Sequence, residues 1–386
     1  MAVIGNWNYP TTIKFGAGRI RELAEHCRAI GILRPLLVTD AGLANAPITL
    51  SALRSLTDAG LGAALFADIR PNPVEANLDA GLAAYRAGGH DGVVAFGGGS
   101  GLDMGKLVAF MSGQTRPVWD FEDIGDWWTR ADPAGIAPVI AVPTTAGTGS
   151  EAGRAGVLTD GRSHTKRIIF HPKMMPAVVI CDPGLTVSLP PKITAGTGMD
   201  AFSHCLEAYC APGYHPMADG IAVEGMRLIA GALPRVMQAP DDLDARADMM
   251  AAATMGATAF QKGLGGMHAL SHPIGALYDT HHGMTNAVFM PYVLAFNRSA
   301  IEDRIARLAA YLGLSSPGFD GFLDFVLELR RQVGVPHTLP ELGVDAGKAE
   351  LIAGMAVEDP SAGGNPIPLT VTGTAAIFAA ASLGTL

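Results

Sequence analysis

Residues 91–106 read DGVVAFGGGSGLDMGK and give the strongest single indication of the architecture. A short run of β-branched and aromatic residues ends at three glycines and a serine, and a helical pattern follows at once. Gly97, Gly98 and Gly99 permit a tight turn and a close backbone approach, and the next helix offers free N–H groups to an anion. The segment predicts a strand, turn and helix that can cradle a pyrophosphate. An ordinary βα turn is the simpler alternative, because glycine is common there.

Four apolar runs, one of them within the glycine segment and the others on both sides of it, extend this pattern. They cover residues 36–39, 92–96, 139–142 and 177–180. Each run is short, is rich in β-branched residues and ends at Asp, Gly or Pro, as strands buried on both faces do. Helix-like stretches such as 76–87 separate the runs, so the pattern predicts an α/β arrangement in which helices cross over between parallel strands.

The character of the sequence changes after Leu189, Pro190 and Pro191. Helical patterns then cover residues 198–211, 215–232, 242–261, 301–312 and 318–333, with few β-rich runs. A chain of 386 residues also exceeds the usual size of a single core. We therefore predict two domains, an α/β N-terminal domain with a Rossmann-like parallel sheet over residues 1–187 and an all-α domain over residues 188–386.

Composition and charge restrict the class of function. The formal net charge is -9 and Lys or Arg form no long run, which disfavours nucleic acid or anionic lipid as partners. The first residues do not resemble a signal peptide, and no stretch has the length and hydrophobicity of a transmembrane helix. The four cysteines form no CxxC pair, which suits a reducing compartment. We expect a cytoplasmic protein that acts on a small molecule.

Two further strand ends support a dinucleotide site at the glycine turn. Asp40 closes the 36–39 run, where a carboxylate can accept hydrogen bonds from an adenosine ribose and repel a 2′-phosphate. Residues 142–151, VPTTAGTGSE, place small hydroxyl and glycine residues after another strand, although these groups would also serve as turn and cap residues. Because ligands of open α/β sheets bind at the carboxyl edge, the sequence favours NAD over NADP as a cofactor of the 1–187 domain.

Carboxylate and imidazole groups cluster in the helical half. Asp200 and His204 are four residues apart and so share one face of a helix. Later histidines are His268, His272, His281 and His282, of which the first two repeat that spacing and the last two stand in a predicted loop. A single histidine of this kind is more often a core residue, but two paired spacings favour ligands of Fe²⁺, Zn²⁺ or a similar ion. Spacing alone does not decide which of the four later histidines are ligands.

Taken together, these motifs resemble the iron-containing, or group III, alcohol dehydrogenase family over nearly the whole chain. The resemblance rests on the Pro71-Asn72-Pro73 turn, the glycine loop with Asp103 and Lys106, and the segments 143–151, 198–204 and 265–275. There are three departures: Gly101, where many relatives have Pro, Ile367, where many have Arg, and His281, where an apolar residue or Pro is common.

The resemblance implies one metal site and one dinucleotide site. The implied metal ligands are Asp200, His204, His268 and His282, holding Fe²⁺ or Zn²⁺. The implied contacts of the dinucleotide are Asp40, Asn72, Gly98, Gly99, Ser100, Thr144, Thr145, Lys166 and His272. His272 is also the implied catalytic residue, as a proton relay or an orienting group near the nicotinamide. Members of the family usually form homodimers or larger oligomers.

The sequence thus predicts an NAD-dependent, divalent-metal-dependent alcohol dehydrogenase for a small alcohol or aldehyde, with its metal and catalytic residues in the 188–386 domain. One alternative is a lyase similar to dehydroquinate synthase, which usually has Glu where this chain has Asp200. A second is a metal-free enzyme similar to maleylacetate reductase, against which the full set of four ligand residues argues. A third is a metal hydrolase in which the glycine loop is only structural. The identity of the alcohol stays open.

Overall fold

The structure is a computed structural model that describes residues 11–162 and 165–386. Its strands are β1 (Thr12–Phe15), β2 (Pro35–Val38), β3 (Ala64–Phe66), β4 (Gly92–Gly97), β5 (Val139–Pro143), β6 (Ala155–Asp160), β7 (Thr165–Phe170) and β8 (Val178–Cys181). Its α-helices are α1 (Leu23–Ala29), α2 (Pro47–Asp58), α3 (Glu75–Ala87), α4 (Gly99–Met111), α5 (Pro191–Cys210), α6 (Pro216–Gln238), α7 (Leu243–Ala259), α8 (Gly266–Tyr278), α9 (His282–Tyr311), α10 (Phe319–Gln332), α11 (Ala349–Glu358) and α12 (Val371–Leu383).

The described chain divides into two compact units. The sheet unit contains residues 11–145, 149–162 and 165–187, and the helical unit contains residues 146–148 and 188–386. Within the described residues, no helix combines the length and the apolar character needed to cross a membrane.

The sheet unit is built on a six-stranded sheet in the order β1-β8-β5-β4-β2-β3, in which every neighbouring pair is parallel. β2, β4, β5 and β8 consist entirely of buried residues. Both faces of the sheet are therefore covered, which explains why these strands are continuous apolar runs in the sequence. The predicted α/β fold with a parallel sheet is confirmed.

Three parts of the sheet unit have no clear signal in the sequence. β1 forms one edge of the sheet and has partly exposed residues, and β3, at the other edge, is only three residues long. β6 and β7 form a separate antiparallel hairpin whose residues are mostly half-buried. β1, β6 and β7 lack the continuous apolar content that identifies the central strands, and β3 is apolar but too short to stand out.

The helical unit is organised around α5. Residues 194–210 of this helix are all buried, and α6, α7 and α9 pack against it. Although most of the helix is apolar, its buried face includes Asp200, His204 and Glu207. Ionisable groups in an interior need partners of opposite charge or a bound cation, because burial without them costs several kcal/mol. The buried polar side chains of α5 therefore mark the candidate functional site of this unit.

A short connection between α8 and α9 brings two histidines to the start of a long helix. α8 ends at Tyr278, and Asp279 takes the left-handed conformation, with φ of 52°, that often ends a helix. His281 is the N-cap of α9 and His282 is its first residue. The sequence places both histidines in a loop, and the structure shows that His282 already belongs to the helix.

Candidate active site

Three adjacent strands of the sheet unit end beside one another. β2, β4 and β5 are neighbours in the sheet, so the residues after each strand lie at the same carboxyl edge. These residues are Asp40 after β2, Gly98, Gly99 and Ser100 after β4, and Thr144 and Thr145 after β5. The backbone N–H of Thr144 donates to the carbonyl of Gly97 at 2.9 Å. The structure thus brings six of the residues expected at the dinucleotide to one edge.

The turn at this edge requires glycine. Gly97 has φ of +132°, which residues with a side chain rarely adopt. A Cβ at Gly98 would lie 3.3 Å from the methyl group of Thr145, so a larger residue would narrow the space over the turn. Within the described chain, no side chain caps the start of α4. The first N–H groups of α4 are therefore available to an anion, and this geometry fits a pyrophosphate.

Asn72 and Lys166 both lie near Thr159, on another part of the sheet unit. Asn72 has φ of 51° in the loop before α3, and the next residue, Pro73, accepts a hydrogen bond from the backbone N–H of Thr159 at 2.8 Å. Lys166 is paired with the same Thr159 across the β6–β7 hairpin. The hairpin therefore brings these two sequence-distant residues close together, while their contact with a dinucleotide stays a prediction.

Two charged residues of the glycine motif have structural partners. Lys106 is 1% exposed, and its Nζ donates to the carbonyl oxygens of Ser150, at 2.9 Å, and Ala155. The Asp103 carboxylate accepts from Oγ of Ser150 at 2.5 Å and from the backbone N–H of Val157 at 3.1 Å. These residues connect α4 to the 150–157 segment, so their role in the motif is to fix this segment against the helix.

In the helical unit, the predicted metal ligands converge. Asp200 and His204 lie one turn apart on α5, and each offers a ligand atom that lies within 4.8 Å of one on His268 of α8. Nε2 of His282 lies 3.7 Å from Oδ1 of Asp200, and its ring centroid is 5.2 Å from that of His268. The structure therefore brings together all four residues that the resemblance implies.

A close approach of two helices makes this convergence possible. A Cβ added to Gly283, next to His282, would overlap the carbonyl oxygen of Gly196 and lie 2.7 Å from Cβ of Asp200. A Cβ at Gly196 would in turn lie 2.6 Å from the ring of His281. Glycine at both positions lets the start of α9 lie directly on α5, which places His282 beside Asp200.

The electrostatics of the cluster suit a cation. Burial lowers the pKa of His204 to about 4, although Asp200 opposes the shift, so its ring is neutral near pH 7 and able to bind a metal. Burial also lowers the pKa of His268, but Glu207 and Asp200 outweigh this and leave it above the ordinary value. Among the described residues, Nδ1 of His204 and Oδ1 of Asn286 are buried without a hydrogen-bond partner. One carboxylate and three imidazoles are the donor set of Fe²⁺ or Zn²⁺.

Three polar residues of the cluster are not identified by the sequence analysis. Asn286, one turn after His282, places Nδ2 2.9 Å from Oδ1 of Asp200. Glu207, one turn after His204, contacts His268 through Oε2. The same helical spacing that identifies Asp200 and His204 would have found both, had buried Asn and Glu been considered as supports for ligands.

Asp359, the third of these residues, has no local signal because it lies 87 positions from its partner. Its Oδ2 accepts from Nδ1 of His272 at 2.8 Å, and the two side chains are 10% and 20% exposed. Burial raises the pKa of Asp359, but His272 outweighs this and lowers it below the ordinary value. The ring of His272 also stacks on that of His282, with centroids 5.2 Å apart. His272 is thus held beside the cluster.

The structure shows the contacts of two residues that depart from the family pattern. His281 acts as the N-cap of α9, because its Nδ1 accepts from the backbone N–H of Met284 at 3.4 Å. Ile367 is held through its backbone: its carbonyl accepts from Nδ2 of Asn365 at 2.7 Å, and its N–H donates to Oδ1 of Asn297 at 3.3 Å. Neither contact depends on a basic side chain at position 367.

Comparison with known proteins gives matches over nearly the whole chain. A family model described as iron-containing alcohol dehydrogenase matches residues 10–183, and one described as the C-terminal part of the Fe-containing alcohol dehydrogenase family matches residues 194–382. The chain is 41% identical to the 4-hydroxybutyrate dehydrogenase of Cupriavidus necator over 364 residues, which cover 91% of this chain and 93% of that protein.

Two further matches add detail on cofactor and fold. The chain is 33% identical to the NAD-dependent methanol dehydrogenase of Bacillus methanolicus over 380 residues, which cover 97% of this chain and 98% of that protein. The crystal structure of a 1,3-propanediol oxidoreductase matches with a TM-score of 0.93 and 34% identity, over 98% of this chain and 100% of that one. The likeness therefore extends over both units.

Proposed function

The chain belongs to the iron-containing alcohol dehydrogenase family, and we propose that it uses NAD and one divalent metal ion to transfer a hydride between a small alcohol and nicotinamide. The observation that carries this proposal is the convergence of Asp200, His204 and His268, whose ligand atoms lie within 4.8 Å of one another. With the partly exposed His282 they form a set of one carboxylate and three imidazoles, which suits Fe²⁺ or Zn²⁺ and gives no preference between them.

The assignment of NAD is supported by the carboxyl edge of the sheet unit. The glycine turn and the uncapped start of α4 suit a pyrophosphate, and Asp40 at the end of β2 suits an adenosine ribose. A relative that is 33% identical is named NAD-dependent. We therefore assign dinucleotide binding to residues 1–187 and the metal and catalytic residues to 188–386. The expected homo-oligomer and cytoplasmic location stay predictions.

The chemistry divides between the metal ion, the cofactor and the protein. When bound, a divalent ion would polarise the oxygen of the alcohol or aldehyde and stabilise negative charge there. Nδ1 of His272 donates to Asp359 at 2.8 Å, so Nε2 is the nitrogen left for exchange with the substrate. Nε2 accepts the hydroxyl proton during oxidation and returns it during reduction, while Asp359 stabilises the charged ring. The glycine turn at Gly98 and Gly99 would hold the dinucleotide, whose nicotinamide, when bound, would accept or supply the hydride.

We propose a short primary alcohol as the substrate class. The relatives matched over most of their length are named for 4-hydroxybutyrate and methanol, and a structural match is named for 1,3-propanediol. 4-Hydroxybutyrate is the first compound to test, because the 4-hydroxybutyrate dehydrogenase of Cupriavidus necator is 41% identical to this chain over 364 residues. A lyase, a metal hydrolase or a maleylacetate reductase would not reduce NAD⁺ with any of these alcohols.

The test combines activity with metal content. Protein loaded with Fe²⁺ in the absence of oxygen, or with Zn²⁺, is mixed with NAD⁺ and each alcohol, and NADH is followed by its near-ultraviolet absorbance. We expect His268→Ala to lose both metal and activity, because a ligand is removed. His272→Ala should lose activity but keep the metal. His337→Ala changes an exposed histidine and should match the wild type.

Two results would contradict the proposal. Retention of metal by His268→Ala together with its loss from His272→Ala would show that the ligands are assigned wrongly. Wild-type protein that holds a stoichiometric metal ion but reduces no NAD⁺ with any alcohol of the panel would point to the lyase or hydrolase alternative.

A further inference from the structure

Glu207 is a buried carboxylate that the proposed reaction does not use. Its side chain is 4% exposed, and it lies on α5 one turn after His204. Its partners all come from the beginning of α8: the backbone N–H of Gly265 at 2.8 Å, the backbone N–H of Met267 at 2.6 Å and Nδ1 of His268 at 2.6 Å. One side chain of α5 therefore holds both the start of α8 and the ring of a predicted ligand.

These contacts engage both oxygens of the carboxylate. Oε1 accepts from the backbone N–H of Met267, and Oε2 accepts from the backbone N–H of Gly265. The start of a helix offers such unpaired N–H groups to an acidic side chain. Glu207 is therefore fixed in position against the first turn of α8.

The same geometry fixes the tautomer of His268. Oε2 of Glu207 also lies 2.6 Å from Nδ1 of His268, and a carboxylate oxygen in this position accepts, so the matching tautomer carries its hydrogen on Nδ1. The lone pair of the ring is then on Nε2. This nitrogen lies on the side of the cluster, 3.2 Å from Nδ2 of Asn286, which itself contacts Asp200. The ring thus presents its lone pair to the remaining predicted ligands.

We propose that Glu207 is a positioning residue for the metal ion: its contact with Nδ1 locks the orientation and the tautomer of His268. The inference rests on the proposed function, because it needs His268 to be a ligand. A carboxylate behind a histidine ligand raises the basicity of the ring, and loss of such a partner typically weakens metal binding by about 10- to 100-fold.

Glu207→Gln tests the proposal with little change of shape. The amide of glutamine has one accepting oxygen instead of two, so its NH₂ group must face one of the N–H donors that now contact Glu207. Either the contact with His268 is then lost, or the ring changes its tautomer. We expect the affinity for Zn²⁺ to fall by about 10- to 100-fold, measured on chelator-stripped full-length protein by competition with a chromogenic chelator. The visible absorption of the Co²⁺-loaded protein should also shift, because it reports the donor strength and geometry of the ligands.

Asn365→Ala is the matched control. Oδ1 of Asn365 accepts from the backbone N–H of Gly266 at 3.0 Å, so this residue also holds the start of α8, but it makes no hydrogen bond to His268. Both variants should lower the thermal stability of the metal-free protein, because both remove a partner from the same helix end. Only Glu207→Gln should weaken Zn²⁺ binding and shift the Co²⁺ spectrum.

The possible outcomes separate this inference from the proposed function. Wild-type affinity and an unchanged Co²⁺ spectrum in folded Glu207→Gln would overturn the inference and leave the metal site intact. If Asn365→Ala weakened Zn²⁺ binding as much as Glu207→Gln, the role of Glu207 would be only to hold the start of α8. Wild-type protein that binds neither Zn²⁺ nor Co²⁺ would overturn both proposals. If Glu207→Gln does not fold, Glu207→Asp keeps the charge but withdraws it by one methylene, and it should weaken Zn²⁺ binding in the same direction.

Discussion

The carboxyl edge of the sheet and the histidine cluster of the helical unit are built in opposite ways. At the sheet edge, Asp40, Gly98 and Thr144 each lie within two residues of a strand end, and the contact that joins two of these strand ends is between backbone groups. In the cluster, side chains meet from helices far apart in sequence: Glu207 and His268 are separated by 61 positions, and His272 and Asp359 by 87. Local backbone geometry dominates the first site and helix packing the second.

This difference predicts that helix packing is the weak point of the metal site. Gly283→Ala is expected to have the largest effect, because its Cβ would overlap the carbonyl of Gly196 and press on Asp200. The start of α9 must then move away from α5, and metal sites tolerate displacements of only about 0.5 Å. We expect Zn²⁺ affinity to fall by roughly 100-fold or more and the free energy of unfolding to fall by about 1–3 kcal/mol.

The control for this substitution is Gly220→Ala on α6. A Cβ at Gly220 meets no atom within 4 Å among the described residues, and the residue is exposed. Alanine is a better helix former than glycine, so stability should be unchanged or rise by about 0.5–1 kcal/mol, with normal metal binding. Both quantities are measured by denaturant unfolding and metal titration. Normal Zn²⁺ affinity in Gly283→Ala would show that the α5–α9 approach does not set the ligand geometry.

A second prediction separates proton transfer from metal binding within the cluster. Asp359→Asn removes the negative charge beside His272 and leaves one accepting oxygen, which the backbone N–H of Ser361 also requires, so an NH₂ group can face Nδ1 of His272. We expect kcat to fall by about 100-fold, within the range of general acid–base catalysis, while metal content stays normal because neither residue is a predicted ligand. Steady-state kinetics and metal analysis of the same preparation test this. If Asp359→Asn lost its metal instead, Asp359 would be needed to hold the metal ligands in place rather than for proton transfer.

The sequence predicts ligand types better than it predicts their supports. Spacing of four residues identifies Asp200 and His204 because both lie on one helix, and the central strands are visible as apolar runs because both of their faces are buried. Asp359 is invisible to such patterns, since its contact depends on the packing of α11 against α8. The choice among the later histidines likewise depends on helix packing, which places His281 as a cap and His282 in the cluster.

The third prediction concerns the sheet edge and should leave the metal site untouched. Asp40→Ala removes a carboxylate placed to accept hydrogen bonds from the adenosine ribose, contacts that are worth about 1.5–3 kcal/mol for a charged acceptor. We expect KM for NAD⁺ to rise by at least about tenfold, discrimination against NADP⁺ to weaken, and metal content to stay normal. Kinetics with both cofactors provide the measurement. An unchanged KM for NAD⁺ would remove Asp40 from the dinucleotide site.

The smallest expected effect is the alkylation of the cysteine thiols, for which we expect the same result in the sheet unit and in the helical unit. Burial raises the pKa of Cys27 in the sheet unit, and of Cys205 and Cys210 in the helical unit, to about 12. At pH 8 only about one such thiol in ten thousand is a thiolate, so we expect no labelling of the folded protein by iodoacetamide, with or without metal, and full labelling after denaturation. Labelling of Cys205 or Cys210 that begins only when the metal is removed would show that a thiolate had been a ligand. The cluster would then depend on sulfur, and the assignment of its oxygen and nitrogen donors would have to change.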